Sequence, residues 1–269
     1  MRGVPVYAEV HSVERLSPSM VRVVLSGGEL DAFEPSPATD AYINARFLPL
    51  NSPVPVPFTD DDLDGVDVEL RPKPRRFTVR RWNADASELT IDFVAHGDVG
   101  FAGNWAQRAK PGDRLQFSGP SGSYRPSIDV DWHLMVGDES VLPAIGAALE
   151  AIEPGRHVQV VAVVDDAGCE LDLPSRGDVS ITWLHRDGVA DIEALLPDAV
   201  AATTFPEGSF DVFVHGEAAE VRAVRKHLLA ERGVTSDRAS ISPYWRRTYT
   251  DEAWREIKRD WVADQANDV

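Results

Sequence analysis

Two periodicities divide this chain. Up to about Tyr124, apolar and polar residues alternate in short runs: Val21-Arg22-Val23-Val24-Leu25, Val66-Asp67-Val68-Glu69-Leu70, Leu89-Thr90-Ile91-Asp92-Phe93 and Arg114-Leu115-Gln116-Phe117. Successive side chains of a strand point to opposite faces, so runs of this length between Gly, Pro and Asp clusters predict strands of an antiparallel barrel. The Pro-rich stretch from Pro49 to Pro57 interrupts the alternation and predicts an irregular loop.

After Asp129 the pattern changes to near-continuous apolar runs: Trp132 to Val136, His157 to Val164, Val179 to Leu184, Phe210 to Val214 and Ala239 to Ile241. Between the first two, Ile145, Leu149 and Ile152 recur at helical spacing. Val221, Val224 and Leu228 do so from Glu217 to Arg232, with Gly233 as a stop. A last helix is expected near Thr250, with Asp251 and Glu252 in its first turn and Trp254, Ile257 and Trp261 on one face. Apolar strands alternating with helices predict a parallel, doubly wound sheet. The expected fold class is therefore two-domain β + α/β: an antiparallel barrel over residues 1–127, then a parallel-sheet domain over 128–269.

Composition narrows the function. A chain of 269 residues with 43% apolar content can bury a sizeable core. Its net charge of −17 argues against nucleic acid as a partner, because phosphate binding needs clustered cations. The basic residues that exist are grouped, with Arg71, Lys73, Arg75, Arg76, Arg80 and Arg81 in one set and Arg222, Arg225, Lys226, Arg246, Arg247, Arg255, Lys258 and Arg259 in another. Local positive pockets on an acidic body suit small anionic ligands. Taken singly, Arg255, Lys258 and Arg259 read as a solvated helix face. Cys169 is the sole cysteine, so no intramolecular disulfide forms. No stretch reaches the roughly 18 apolar residues of a membrane span, and no secretory run opens the chain, so a cytoplasmic protein is expected. Scattered histidines without His-Glu-x-x-His, and the lack of a Gly-Lys-Ser/Thr loop, argue against a catalytic metal and nucleotide hydrolysis.

Candidate chemistry sits in both halves. Arg76 and Thr78 are two apart and share a strand face, while Phe77 and Val79 face the other way. That geometry lets Arg76 meet a phosphate while Thr78 meets a ring or ribityl chain. His96 precedes a run with Gly100, Gly103 and Trp105, placing glycines and Ala102 just before a short helix. In the second half, Gly137-Asp138-Glu139-Ser140 follows the first strand and Gly216-Glu217 follows a later one, two turns on one sheet edge where ligands of open parallel sheets bind. The full Gly-x-Gly-x-x-Gly fingerprint is missing, which favours a ferredoxin reductase-like domain over a standard dinucleotide Rossmann domain. Asp165 and Asp166 end the second strand, where an acid accepts from a ribose 2′-hydroxyl; Arg186 and Arg222 are the alternative, as holders of a 2′-phosphate. Each of these pieces alone has an ordinary explanation as a turn, a strand end or a solvated charge.

Together they resemble the siderophore-interacting protein family, a branch of the ferredoxin reductase-like flavoproteins, over nearly the whole chain. The resemblance rests on Arg76 to Arg80, the His-Gly to Trp-Ala segment from His96 to Ala106, Gly-Asp-Glu at 137–139, Gly-Glu at 216–217 and Tyr244-Trp245-Arg246. It implies that Arg76, Phe77, Thr78 and Val79 hold FAD, with Asp92, Phe93, Val94 and His96 along the flavin and Gly100, Ala102 and Trp105 near its phosphates. It further implies that Gly137, Asp138, Glu139, Ser140, Gly216 and Glu217 receive NADH or NADPH. Tyr244 and Trp245 would close the site near the ring, and Arg246 would help bind an anionic ferric siderophore. The implied activity is reduction of that chelate by a monomeric enzyme in which no side chain acts as a nucleophile. A general flavin-dependent reductase and a chelate-binding module with a structural flavin are the alternatives. Four positions depart from the family's usual residues: Phe77 stands for Tyr, Ser140 for Thr, Asn44 for a common Lys and Thr248 for a frequent Gly.

Overall fold

The computed structural model describes residues 5–95 and 100–268, and the chain divides into two compact units, Met1–Arg125 and Pro126–Val269. The first unit is a seven-stranded antiparallel sheet in the order β4-β3-β7-β1-β2-β6-β5. Its strands are β1 (Val6–Ser17), β2 (Met20–Ser26), β3 (Tyr42–Phe47), β4 (Lys73–Thr78), β5 (Arg81–Asn83), β6 (Glu88–Val94) and β7 (Arg114–Ser121). The sheet curls because the chain leaving β4 joins strands from both sides: Val79 N–H donates to Ala41 O at 2.7 Å and Arg80 N–H to Thr90 O at 3.0 Å. One face of each strand fills the interior with residues such as Val23, Ile43, Phe47, Leu89, Ile91 and Phe117. Pro74 lies in β4, an edge of the hydrogen-bonded order, where a missing N–H is tolerated.

One expected strand does not form. Residues 66–70 make a single 3₁₀ turn, Val68–Leu70, closed by Leu70 N–H to Asp67 O at 2.9 Å. Alternation alone does not make a strand; here Val68 is 72% exposed and no layer covers the run.

After β6, helix α1 (Ala102–Arg108) presses directly on the strand exit. A Cβ at Gly103 would lie 2.9 Å from Val94 O and 3.2 Å from Ala95 Cα, so only glycine permits this approach.

The second unit is a five-stranded parallel sheet in the order β10-β9-β8-β11-β12. Its elements are β8 (Trp132–Asp138), α2 (Leu142–Ala151), β9 (His157–Val164), β10 (Asp178–His185), α3 (Ile192–Ala202), β11 (Phe210–Glu217), α4 (Ala218–Ala230), β12 (Ala239–Trp245) and α5 (Asp251–Asp264). All seven residues of β8 are buried, as befits a central strand covered on both faces. Helix α3 goes beyond the sequence reading. It carries Pro197 inside it, yet Leu196 and Val200 bury against the sheet's core, and that burial outweighs the proline's local cost. The strand order reverses between β8 and β11, which makes the carboxyl ends of those two strands the place where a crevice opens.

Candidate functional site

On the antiparallel unit, strand register gathers the candidate residues. Tyr42 pairs with Thr78 and Asn44 with Arg76 across β3 and β4, and directly opposed residues share a sheet face. That face is the outer one. Arg76 is exposed, its guanidinium 5.5 Å from the Tyr42 ring centroid, and it makes no ion pair with another described residue. Thr78 is only 7% exposed, yet among the described residues its hydroxyl has no hydrogen-bond partner. An uncommitted guanidinium and an uncommitted hydroxyl two residues apart are the donors that a dinucleotide's phosphates and ring edge require.

Other residues singled out in the sequence turn inward. Phe77 packs against Phe93 and Phe47 at 4.5 and 5.9 Å between ring centroids, and Trp105 against Phe47 and Phe93 at 5.6 and 5.7 Å. Val79 adjoins the same cluster, and Phe93 and Ala102 are buried in it. Asp92 is held by Arg22, its cross-strand partner, through two hydrogen bonds of 2.7 and 2.8 Å, with Arg80 3.9 Å away. Its carboxylate is thus committed within the unit. Val94 is half-buried, and Gly100 is exposed with φ +86°. His96, with residues 97–99, lies outside the described residues.

In the parallel unit the candidates meet at the carboxyl edge of the sheet. Asp138 ends β8 fully buried. One of its oxygens accepts from the Ser140 N–H at 2.8 Å and from the Ser140 hydroxyl; the other accepts from the Glu217 N–H and from Trp245 Nε1–H, both at 2.8 Å. Burial, with the neighbouring Glu139, raises its pKa to about 6 against the pull of its donors and Arg186. Glu217 caps α4 through the N–H groups of Ala219 and Glu220, at 2.6 and 3.1 Å, and its other oxygen accepts from Arg247 N–H at 2.9 Å. The two glycines make this knot possible. A Cβ on Gly216 (φ +127°) would meet Asp138 Oδ2 at 2.6 Å, and one on Gly137 would meet Val141 Cβ at 2.7 Å.

Glu139 is gripped by Arg186 through bonds of 3.0 and 2.7 Å, and Arg186 also reaches Asp165 at 3.0 Å. Burial works against the Arg186 charge, but Glu139, Asp138 and Asp165 push its pKa further up. Asp166 accepts from Gly168 N–H at 2.7 Å. Arg222 binds Asp264 and Asp268, the latter twice, beside the end of α5. Both arginines that the sequence offers for a 2′-phosphate are thus paired with carboxylates.

Tyr244 and Trp245 end β12, and Arg246 follows the strand. Tyr244 lies 4.9 Å from the His215 ring, and Arg246 stacks over Tyr249 at 4.9 Å and Trp261 at 5.7 Å. His215 is buried, and burial foremost, then Lys258, lowers its pKa to about 3, so it is neutral. Sequence reasoning missed Glu220. This side chain is 1% exposed, accepts from Arg247 at 2.7 Å, and has its pKa raised to about 7 by burial, opposed by that Arg247 bond. Its only sequence signal is an acid on the apolar face of α4. Tyr42 and Arg22 were also missed, because register alone brings them to Thr78 and Asp92.

A seven-stranded antiparallel unit followed by a parallel α/β unit is the ferredoxin reductase-like fold. The ferredoxin reductase of carbazole 1,9a-dioxygenase shares it at a TM-score of 0.64 with 16% identity, over 90% of this chain and 67% of that one. Residues 9–124 match the siderophore-interacting FAD-binding domain and residues 130–248 the siderophore-interacting protein model, and the chain belongs to the siderophore-interacting protein family. It is 34% identical to the ferric vibriobactin reductase of Vibrio cholerae over 93% of this chain and 92% of that one. It is 31% identical to the NADPH-dependent ferric-chelate reductase of Escherichia coli, over 87% and 89%. A siderophore utilization protein from T. fusca superposes with a TM-score of 0.80 at 35% identity, over 92% of this chain and 95% of that one.

Proposed function

We propose that this protein is a cytoplasmic, monomeric ferric-siderophore reductase that uses FAD and NADH or NADPH. The observation carrying the reading is the outer face of β3 and β4, where Arg76 and Thr78 keep polar groups uncommitted within the segment that matches an FAD-binding domain. Arg76 would neutralise a phosphate and Thr78 would bond the ring edge, with Tyr42 beneath the guanidinium. The cluster of Phe47, Phe77, Phe93 and Trp105 would hold that face rigid from behind. Phe77 thus contributes packing, without the hydroxyl of the more usual Tyr. On the parallel unit, the edge formed by residues 137–140 and 216–217 would receive the nicotinamide dinucleotide. Arg246 would draw an anionic chelate.

The chemistry supplied by bound FAD is to accept a hydride from the nicotinamide and release its two electrons singly, so one NAD(P)H serves two ferric ions. Hard oxygen ligands hold ferrous iron far less tightly, so reduction frees the metal. The relatives' names, a ferric vibriobactin reductase and an NADPH-dependent ferric-chelate reductase, support this reading.

Anaerobic addition of NADH or NADPH to FAD-loaded protein is expected to bleach the flavin absorbance, and a ferric siderophore is expected to restore it with ferrous iron appearing. A flavin that stays oxidised would point to a chelate-binding module. Reoxidation by quinones but not by ferric chelates would point to a general reductase.

A further inference from the structure

Asp138 sits where the strand order reverses, yet it offers nothing to a ligand. Its hydrogen bonds run to Ser140, Glu217 and Trp245, and four donors fill the lone pairs of a carboxylate. Gly216 is the residue that admits the carboxylate to this position, since any Cβ there would overlap Oδ2. Trp245 is different. It is half-buried, its Nε1–H is tied down to Asp138 at 2.8 Å, and the Arg247 guanidinium lies 5.8 Å from its ring. Arg247 is itself held through its N–H by Glu217 and through Nη2 by Glu220. Asp138 and Glu217 therefore act inward, on one indole and the residue that backs it. A planar ring entering the β8–β11 crevice needs a flat, fixed surface to lie against, and an indole provides one.

We propose that Asp138 serves nicotinamide binding as a positioning residue: it fixes Trp245 as a wall of the β8–β11 crevice, and the indole, not the carboxylate, is what the dinucleotide meets. This rests on the reading that the sheet edge receives NADH or NADPH.

The test measures dissociation constants of NAD⁺ and NADP⁺ by calorimetry on the FAD-loaded full chain, with urea unfolding of each variant alongside. Trp245→Leu removes the ring and leaves Asp138 its other donors; it is expected to weaken whichever nucleotide binds by about tenfold or more. Trp245→Phe keeps a ring without its tether and is expected to fall between. Asp138→Asn keeps the indole and loosens its tether, so it is expected to weaken binding about as Trp245→Phe does. The double variant should then be no weaker than the weaker single one, because both act through the same indole. Binding by Trp245→Leu equal to the wild type overturns the proposal, and so do losses that multiply in the double variant. If Asp138→Asn fails to fold, the two Trp245 variants decide alone: a graded loss supports the tether, and equal binding by both refutes it. Wild-type protein that binds neither nucleotide overturns the underlying reading and the proposal with it.

Discussion

At the scale of single residues, commitment separates candidates that look alike in sequence. Arg76, Arg186, Arg222 and Arg246 are all arginines beside a motif. Arg186 and Arg222 are bound to carboxylates, Arg246 is stacked on two aromatic rings, and Arg76 alone of these has only Tyr42 beneath it among the described residues. Arg76→Ala is therefore expected to weaken FAD binding by tenfold or more, since a hydrogen bond to a charged group is worth about 1.5–3 kcal/mol. Arg246→Ala should leave FAD binding within about twofold, because its loss falls on surface stacking. Fluorescence titration of FAD against the two apoproteins measures both, and equal loss would contradict this division of roles. The sequence named Arg76 and Thr78 correctly as a pair on one face, because period two needs only local geometry. Nothing local announces that Trp245, more than a hundred residues after Asp138, turns back onto that carboxylate.

At the scale of elements, the ends of β8, β11, α4 and β12 form one unit held by buried acids. Glu220 and Asp138 keep protons more tightly in the folded state than in the unfolded chain, with pKa values raised from 4.5 to about 7 and from 3.8 to about 6. Their contribution to stability is full below about pH 4 and is lost as pH rises through these raised values. Glu220→Gln does not ionise, so it should gain on the wild type between about pH 5 and 8, by a few kcal/mol at most at about 1.4 kcal/mol per pKa unit. Urea unfolding across that range shows it; a difference independent of pH would mean that Glu220 stays charged throughout. The glycine at the same junction is as constrained. Gly216→Ala combines a left-handed φ with an overlap on Asp138 and is expected to cost about 2–4 kcal/mol. Gly155→Ala, with positive φ but open space around it, should cost only about 1–2 kcal/mol in the same melts.

At the scale of the whole molecule, charge and architecture bear on function differently. A net charge of −17 repels an anionic chelate at long range, while under the proposed function Arg246 would attract it close in. Raising ionic strength from about 10 to 150 mM shortens the screening length from about 30 to 8 Å. It should therefore raise kcat/KM for an anionic chelate such as ferric citrate and leave a neutral chelate nearly unchanged; a fall with salt would mean that the local cations dominate even at a distance. The sequence by itself determined the change from alternating to continuous apolar runs, and with it an antiparallel half and a parallel half, because strand and helix periods are local properties of neighbouring residues. It also determined which turns carry glycine. Only the tertiary structure decided that residues 66–70 make a turn, that Pro197 sits within α3, and which polar side chains have partners. Whether an arginine or a carboxylate is available to a ligand depends on register and on contacts between residues far apart in the chain, and those are fixed only when the strands pair and the helices pack.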